Sequence, residues 1–393
     1  MSCELINRSP DLTSLRDEGF EVAVVDGFVV LTGIPYVTTA GEIRRGSLMA
    51  PLSSAGDTAA KPSTHVVHFQ GEFPCHRDGK PIEALRHGSK RTELSQRLVA
   101  DHTFSNKPPQ GYPDYSALME TYANIISAPA TSLDPSATPR TRRVVELPAD
   151  ESVFRYADTA SSRAGIVKAS LVLAQSNVAI IGLGGTGAYI LDLVAKTPVK
   201  RIHLFDGDLF LTHNAFRAPG AASIEQLRAA PKKVDYFASL YDPLRRHIEP
   251  HAVRIDSSNV ALLTEMDFVF IAVDDGPTRR LIVDTLLEVQ VPFIDVGMGV
   301  EQVEHQLLGT LRVTTSTAAC PTTFDVRKAI PCASSTDNDP YDTNIQIADL
   351  NALNAALAVI RWKKAVGFYV DAEGEHHSTF STNMHLLTSD GCP

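Results

Sequence analysis

The 393-residue chain has no apolar run near the roughly twenty residues that cross a bilayer, which excludes a membrane-spanning helix. The opening Met1-Ser-Cys-Glu-Leu5 lacks the basic and apolar regions of a secretory leader, so a cytoplasmic location is expected. Cysteine is sparse: Cys3, Cys75, Cys320, Cys332 and Cys392 are an odd, scattered set. That excludes a disulfide frame, and with no C-x-x-C pair it also excludes structural zinc of that kind. Excess positive charge is missing too. A formal charge of −10 argues against nucleic acid or an anionic membrane as partner. Internal repeats are absent.

What is present is an ordinary globular composition, 44% apolar, in a chain long enough for two domains. Residues 11–18 predict a short helix. Residues 21–25 and 28–32 predict strands joined by Asp26-Gly27, a hairpin signal. Residues 65–69 predict another strand, and 92–99 and 115–126 predict helices. Residues 127–143, rich in Pro, Ser and Thr, predict a linker. Residues 1–143 thus form a small α+β domain. Beyond it, near-continuous apolar strands at 177–181, 201–205, 267–273 and 292–296 alternate with helical patterns at 188–195, 224–240 (broken by Pro231) and 279–289. That alternation predicts a doubly wound, mostly parallel α/β sheet over residues 151–393. An alanine-rich helix is expected at 344–362 near the C-terminus.

The strand 177–181 runs into Gly182-Leu-Gly184-Gly185-Thr-Gly187, after which apolar residues resume at helical spacing. Glycines here permit a sharp turn, close approach of backbone to phosphate, and tight packing of helix on strand. The following helix N-terminus offers N–H groups to an anion. The pattern alone does not separate NAD from ATP. Asp206 and Asp208 end the second strand, about twenty positions on, where an acid suits ribose hydroxyls. Asn214, Arg217, Lys232 and Lys233 follow, and cations near a glycine cradle suit a triphosphate. A third strand ends Asp274-Asp275, with Arg279 beyond, where a carboxylate would hold Mg²⁺ together with phosphate oxygens. Each residue has a plainer reading: Asn214 as a turn former, Arg217 as a surface charge, Lys232 and Lys233 as a solvated helix face, Asp274 as a helix cap.

Taken together in this order, Gly182-x-Gly-Gly-x-Gly187, Asp206-x-Asp208, Asn214-x-x-Arg217, Lys233, and Asp274 with Arg279 resemble the ThiF/MoeB-like adenylating enzymes, which include the catalytic domains of ubiquitin-activating enzymes. The resemblance covers roughly residues 151–369. It implies ATP and Mg²⁺, adenylation of the C-terminal carboxylate of a ubiquitin-like protein, a homodimer, and a bacterial conjugation setting. By the same resemblance Asp206 would hold the adenosine ribose, with Asp208 in support. Asn214 and Arg217 would contact phosphates, Lys233 rather than Lys232 would stabilise the α-phosphate, and Asp274 would bind Mg²⁺. Asp275 departs from the Asn usual there. An arginine before the glycine strand, Arg163 or Arg155, would reach the second subunit's phosphates. Cys320 is the first candidate for a thioester nucleophile, ahead of Cys332 and Ser316.

The leading helix and strand meander of residues 1–143 resemble a ubiquitin-conjugating fold loosely. No cysteine follows Phe73-Pro-Cys75-His76, where that fold would place its nucleophile. A docking module for the protein substrate or a conjugating enzyme is therefore expected. Two rivals share the glycine turn. One is an NAD-dependent oxidoreductase, which leaves Arg217, Lys233 and Asp274 without a task; the other is a binding module of the same fold without turnover.

Overall fold

The computed structural model describes residues 2–56, 58–144, 149, 152–164, 166–318, 325–332, 345–384 and 386–390. The chain divides into two compact units, Met1–Val167 and Lys168–Pro393.

The first unit opens with helices α1 (Ser2–Arg8) and α2 (Pro10–Asp17). Strands β1 (Glu21–Val25) and β2 (Phe28–Val37) then form the expected hairpin. Asp26 and Gly27 both take positive φ, 47° and 80°, the geometry that matches the twist of the flanking strands. Strands β3 (Ile43–Pro51), β4 (Val66–Gln70), β5 (Arg86–Gly88) and β6 (His102–Ser105) complete a six-stranded antiparallel sheet in the order β1-β2-β3-β4-β6-β5. Helix α3 (Tyr115–Leu133) packs on it through Leu118, Met119, Tyr122 and Ile126, all at 0% exposure. Asp114 caps this helix by accepting from the Ala117 N–H at 2.8 Å.

Two expectations fail in this unit. Residues 92–99 are not helical: strands Thr92–Glu93 and Val99–Ala100 pair there. Leu94 and Leu98 have helical spacing, but both pack on the small cluster of Val30, Met49 and Ala100 from either side of a turn. Residues 127–133 are not linker either, because α3 runs on through Pro129. Proline removes one hydrogen bond of the helix. Ala130, fully buried against Val37 and Ala137, offsets the loss.

The second unit is built on an eight-stranded sheet. Strands β7 (Asn177–Ile181), β8 (Arg201–Phe205), β9 (Ile248–His251), β10 (Phe268–Ile271) and the start of β11 (Phe293–Val303) are parallel, in the order β9-β8-β7-β10-β11. Strands β12 (Gln306–Ser316), β13 (His377–Ser381) and β14 (Leu386–Asp390) extend it antiparallel. Helices α4 (Gly185–Ala195), α5 (Lys233–Tyr241) and α7 (Ala348–Ala365) cover one face, where Trp362 is fully buried near Phe268 and Phe270. Helix α6 (Gly276–Glu288) covers the other through Ile282, Val283 and Leu286. Alternate residues of β7 and β10 face the two cores, so both strands read as unbroken apolar runs. The sheet is therefore mixed and doubly wound.

Strand β9 has no counterpart among the expected strands. Ile-Glu-Pro-His lacks an apolar run, and proline is tolerated because β9 lies at the sheet edge. The closing pair β13 and β14, beyond the C-terminal helix, was likewise unannounced by sequence pattern.

Candidate functional site

The strand order reverses between β7 and β10, and ligands of such sheets bind outside the carboxyl ends of the strands at that point. A cavity of about 680 Å³ lies there, with Gly182 and Gly184 in its wall. That volume suits a ligand of nucleotide size.

The glycine turn is shaped by contacts that leave no room for side chains. Gly182 has φ +85°, and a Cβ on it would come within 2.6 Å of the Ala272 carbonyl oxygen. A Cβ on Gly187 would collide with the Gly182 carbonyl, so the start of α4 sits directly on the end of β7. From the far side the α7 region grips the same turn. Asn351, at 0% exposure, accepts from the Thr186 hydroxyl at 2.8 Å, and Gln346 Oε1 accepts from the Gly185 N–H at 3.3 Å.

Asp206, buried at the end of β8, braces the turn. Its Oδ2 accepts from the Leu183 N–H at 2.7 Å, and its Oδ1 accepts from the Asp208 N–H at 2.8 Å. Lys233 opens α5 and is 7% exposed. Its ammonium lies 3.4 Å from Asp206 Oδ2 and donates to Asp208 Oδ2 at 2.9 Å. Lys232 points elsewhere, donating to the Gly207 carbonyl at 2.6 Å. Lys233 is thus the lysine that enters the cavity wall. Asp208 is held on its other oxygen by Arg254, at 2.6 Å. Arg254 first and Lys233 second hold its carboxyl down at about 2.

Arg217 lines the cavity with its Nε buried and without a hydrogen-bond partner among the described residues. Burial lowers its pKa, opposed by the nearby charge of Asp274. Asn214 does not line the cavity. Its Oδ1 accepts from the Leu211 N–H at 2.9 Å, which braces the short helix leading to Arg217, while its Nδ2 is buried with no partner among the described residues. Asp274 lies exposed on the cavity wall. Capping of α6 falls to Asp275, whose Oδ2 accepts from the Thr278 N–H at 2.8 Å. Arg279 turns away from the cavity and pairs, at 3.0 Å, with the fully buried Asp295, which Arg312 also holds.

The cavity therefore gathers Gly182, Gly184, Asp206, Asp208, Arg217, Lys233 and Asp274. Gly185, Gly187 and Asn214 stand behind its wall. Arg163 ends the short helix Thr159–Arg163 of the first unit, and its side chain lies outside the described residues. Cys320 lies outside them as well. Sequence reasoning missed Arg254 and Gln346. Arg254 follows the unrecognised strand β9, and recognising that strand would have placed it at a carboxyl end.

Residues 162–380 match the ThiF family, more than half of the chain. The chain belongs to the ThiF family. Residues 10–159 match a domain of unknown function, DUF6791. Over 81 residues the chain is 34% identical to ubiquitin-like modifier-activating enzyme 5 of Culex quinquefasciatus. That stretch is 20% of this chain and 20% of the relative, so the ThiF-family chain matches only a fifth of that protein's length. Similar solved structures include E. coli MccB with MccA-N7isoASN, at 15% identity and TM-score 0.45, covering 59% of this chain and 69% of the other. PaaA is similar at 19% identity and TM-score 0.45, over 57% and 75%. Neither likeness bears on what this chain acts on.

Proposed function

We propose that this ThiF-family chain adenylates the C-terminal carboxylate of a small ubiquitin-like protein with ATP. A carboxylate oxygen of that substrate attacks the α-phosphorus. A P–O bond forms to give the acyl-adenylate, the bond to the β-phosphate breaks, and pyrophosphate leaves with the electron pair. No enzyme nucleophile is needed, so alignment and electrostatic stabilisation carry the step. The observation that carries this reading is Lys233, a lysine held almost entirely out of solvent at the end of a glycine-lined cavity, with Arg217 and its unsatisfied Nε on the same wall.

The residues fit both ligands. A side chain at Gly184 would meet only Gln346 Oε1, at 3.9 Å, so that glycine leaves room for a phosphate, and the buried Nε of Arg217 lacks, among the described residues, an acceptor that a phosphate oxygen would supply. The oxygen donors suit Mg²⁺: Asp274 would hold it, with phosphate oxygens and water completing the shell. When bound, the metal neutralises triphosphate charge. Lys233 and Arg217 meet the charge that develops on the α-phosphate, and Asp206 keeps the glycine turn and Lys233 in register. Contact of Asp206 and Asp208 with the ribose belongs to the same proposal, as do Asn214 behind Arg217, Arg163 reaching a second subunit of a homodimer, Cys320 as a later thioester acceptor, and a cytoplasmic location.

The first unit serves in this reading as a docking module for the protein substrate or a conjugating enzyme. Cys75 does not suit a transfer step: it is fully buried, and burial pushes its thiol pKa up.

Pyrophosphate exchange with purified ubiquitin-like partners tests the activity. Exchange is expected with wild type and is abolished by Asp274→Ala with folding intact. Absence of exchange with every such partner, or full exchange by that variant, rejects the reading or its metal assignment respectively. Stabilisation by NAD but not by ATP with Mg²⁺ would favour the oxidoreductase instead.

A further inference from the structure

Four carboxylates, Asp206, Asp208, Asp274 and Asp275, stand on the wall of the cavity, against the cations Lys233, Arg217 and Arg254. Lys233 is paired with Asp206 and Asp208. Arg254 differs from it in position and freedom. It comes from the segment just after β9, its side chain is 80% exposed, and one end of its guanidinium holds Asp208. Its stem crosses the turn at Gly207, where a Cβ would lie 2.8 Å from Arg254 Cγ. Its charge also bears on Asp206 and Asp274. A single guanidinium therefore holds one of the four acids and bears on two more.

Such a cation has opposite effects on the two ligands the site would take. A divalent ion meets repulsion from Arg254 and competes with it for carboxylate oxygens. Without that charge, a nucleotide triphosphate free of metal would meet four acids offset only by Lys233 and Arg217. We propose that Arg254 is a specificity-determining residue that biases the site toward the nucleotide and against a bare divalent cation, so that metal enters with or after the triphosphate. This role rests on the adenylation reading for its ligands. Its sign follows from the charges alone, and charge–charge interactions near a protein surface are of a size that shifts affinity by about tenfold.

The test uses the full-length chain and two titrations by calorimetry, with Mn²⁺ alone and with ATP in the presence of EDTA. Arg254→Ala is expected to tighten Mn²⁺ about tenfold and weaken metal-free ATP about tenfold, and Arg254→Lys to stay near wild type in both. A merely structural arginine would loosen both ligands together. Parallel loosening, or changes under threefold in both titrations, overturns the proposal. Wild type that binds Mn²⁺ but binds ATP neither in EDTA nor with Mg²⁺ would instead reject the adenylation reading, while the Mn²⁺ titration would still decide the sign for Arg254.

Discussion

At the scale of single residues, Lys233 and Asp208 are coupled. Lys233→Gln removes the cation from between two carboxylates and the charge meant for the α-phosphate. Pyrophosphate exchange is expected to fall by about 10²-fold or more, the cost typical of losing one preorganised donor. A thermal scan should also show destabilisation of about 1–3 kcal/mol, since the buried Asp206 carboxylate loses a donor. Asp208 makes a pH prediction. Its folded pKa, about 2, lies below its ordinary value of 3.8, so its pairing stabilises the fold above the ordinary value and is lost as pH falls toward about 2. Asp208→Asn should lower the unfolding midpoint slightly near neutrality, where the pairing is fully present, and converge on wild type as pH falls toward about 2. The contribution is modest, because Asp208 is 45% exposed and its partner Arg254 more so. The acids of the cavity, Arg217 and Lys233 were legible as residue types in order, with Lys233 ahead of Lys232 by the family resemblance. Arg254 was not, and neither was the capping of α6 by Asp275 in place of Asp274, because that choice turns on helix phase at a single position.

At the scale of elements, the turn between β7 and α4 has the least tolerance. Gly187→Ala places a methyl group against the Gly182 carbonyl and must lift α4 from the strand. A loss of about 1–3 kcal/mol in denaturant unfolding is expected, the usual cost of overpacking, with ATP binding weakened more than tenfold as the turn opens. Unchanged nucleotide affinity in a folded Gly187→Ala protein would contradict a cradle in this turn. Helix α7 shows the converse, an element whose importance is tertiary. Its alanine-rich pattern announced a helix, yet only the fold brings Asn351 and Gln346 against Thr186 and Gly185. Strand β9 escaped recognition because edge position substitutes for an apolar run, and Arg254 escaped with it.

At the scale of the whole molecule, each unit has its own core: one cluster around Phe69, Phe104 and Tyr122, and two around the faces of the parallel strands. Every described wall residue of the cavity lies between Ile181 and Gln346, within the second unit. The fragment Lys168–Pro393 should therefore bind ATP with Mg²⁺ unaided. Thermal-shift measurement should show about 2.7 kcal/mol of stabilisation at a hundredfold excess over Kd. Failure of a folded fragment to respond would mean that the site needs more than this unit. In the proposed function the same fragment loses exchange with its protein substrate when docking by the first unit is required.

From sequence alone followed the alternation of buried strands and helices, the glycine turn, and the ordered acids and cations, because period, apolar runs and glycine constraints are local properties. Tertiary structure alone decided the strand order that makes a crevice, the extension of α3 through Pro129, and the pairing of Arg279 with Asp295 rather than with a ligand. It also decided the entry of Arg254 into the acidic mouth. Those outcomes depend on residues far apart in the chain whose burial and charge are settled only when the sheet closes over them.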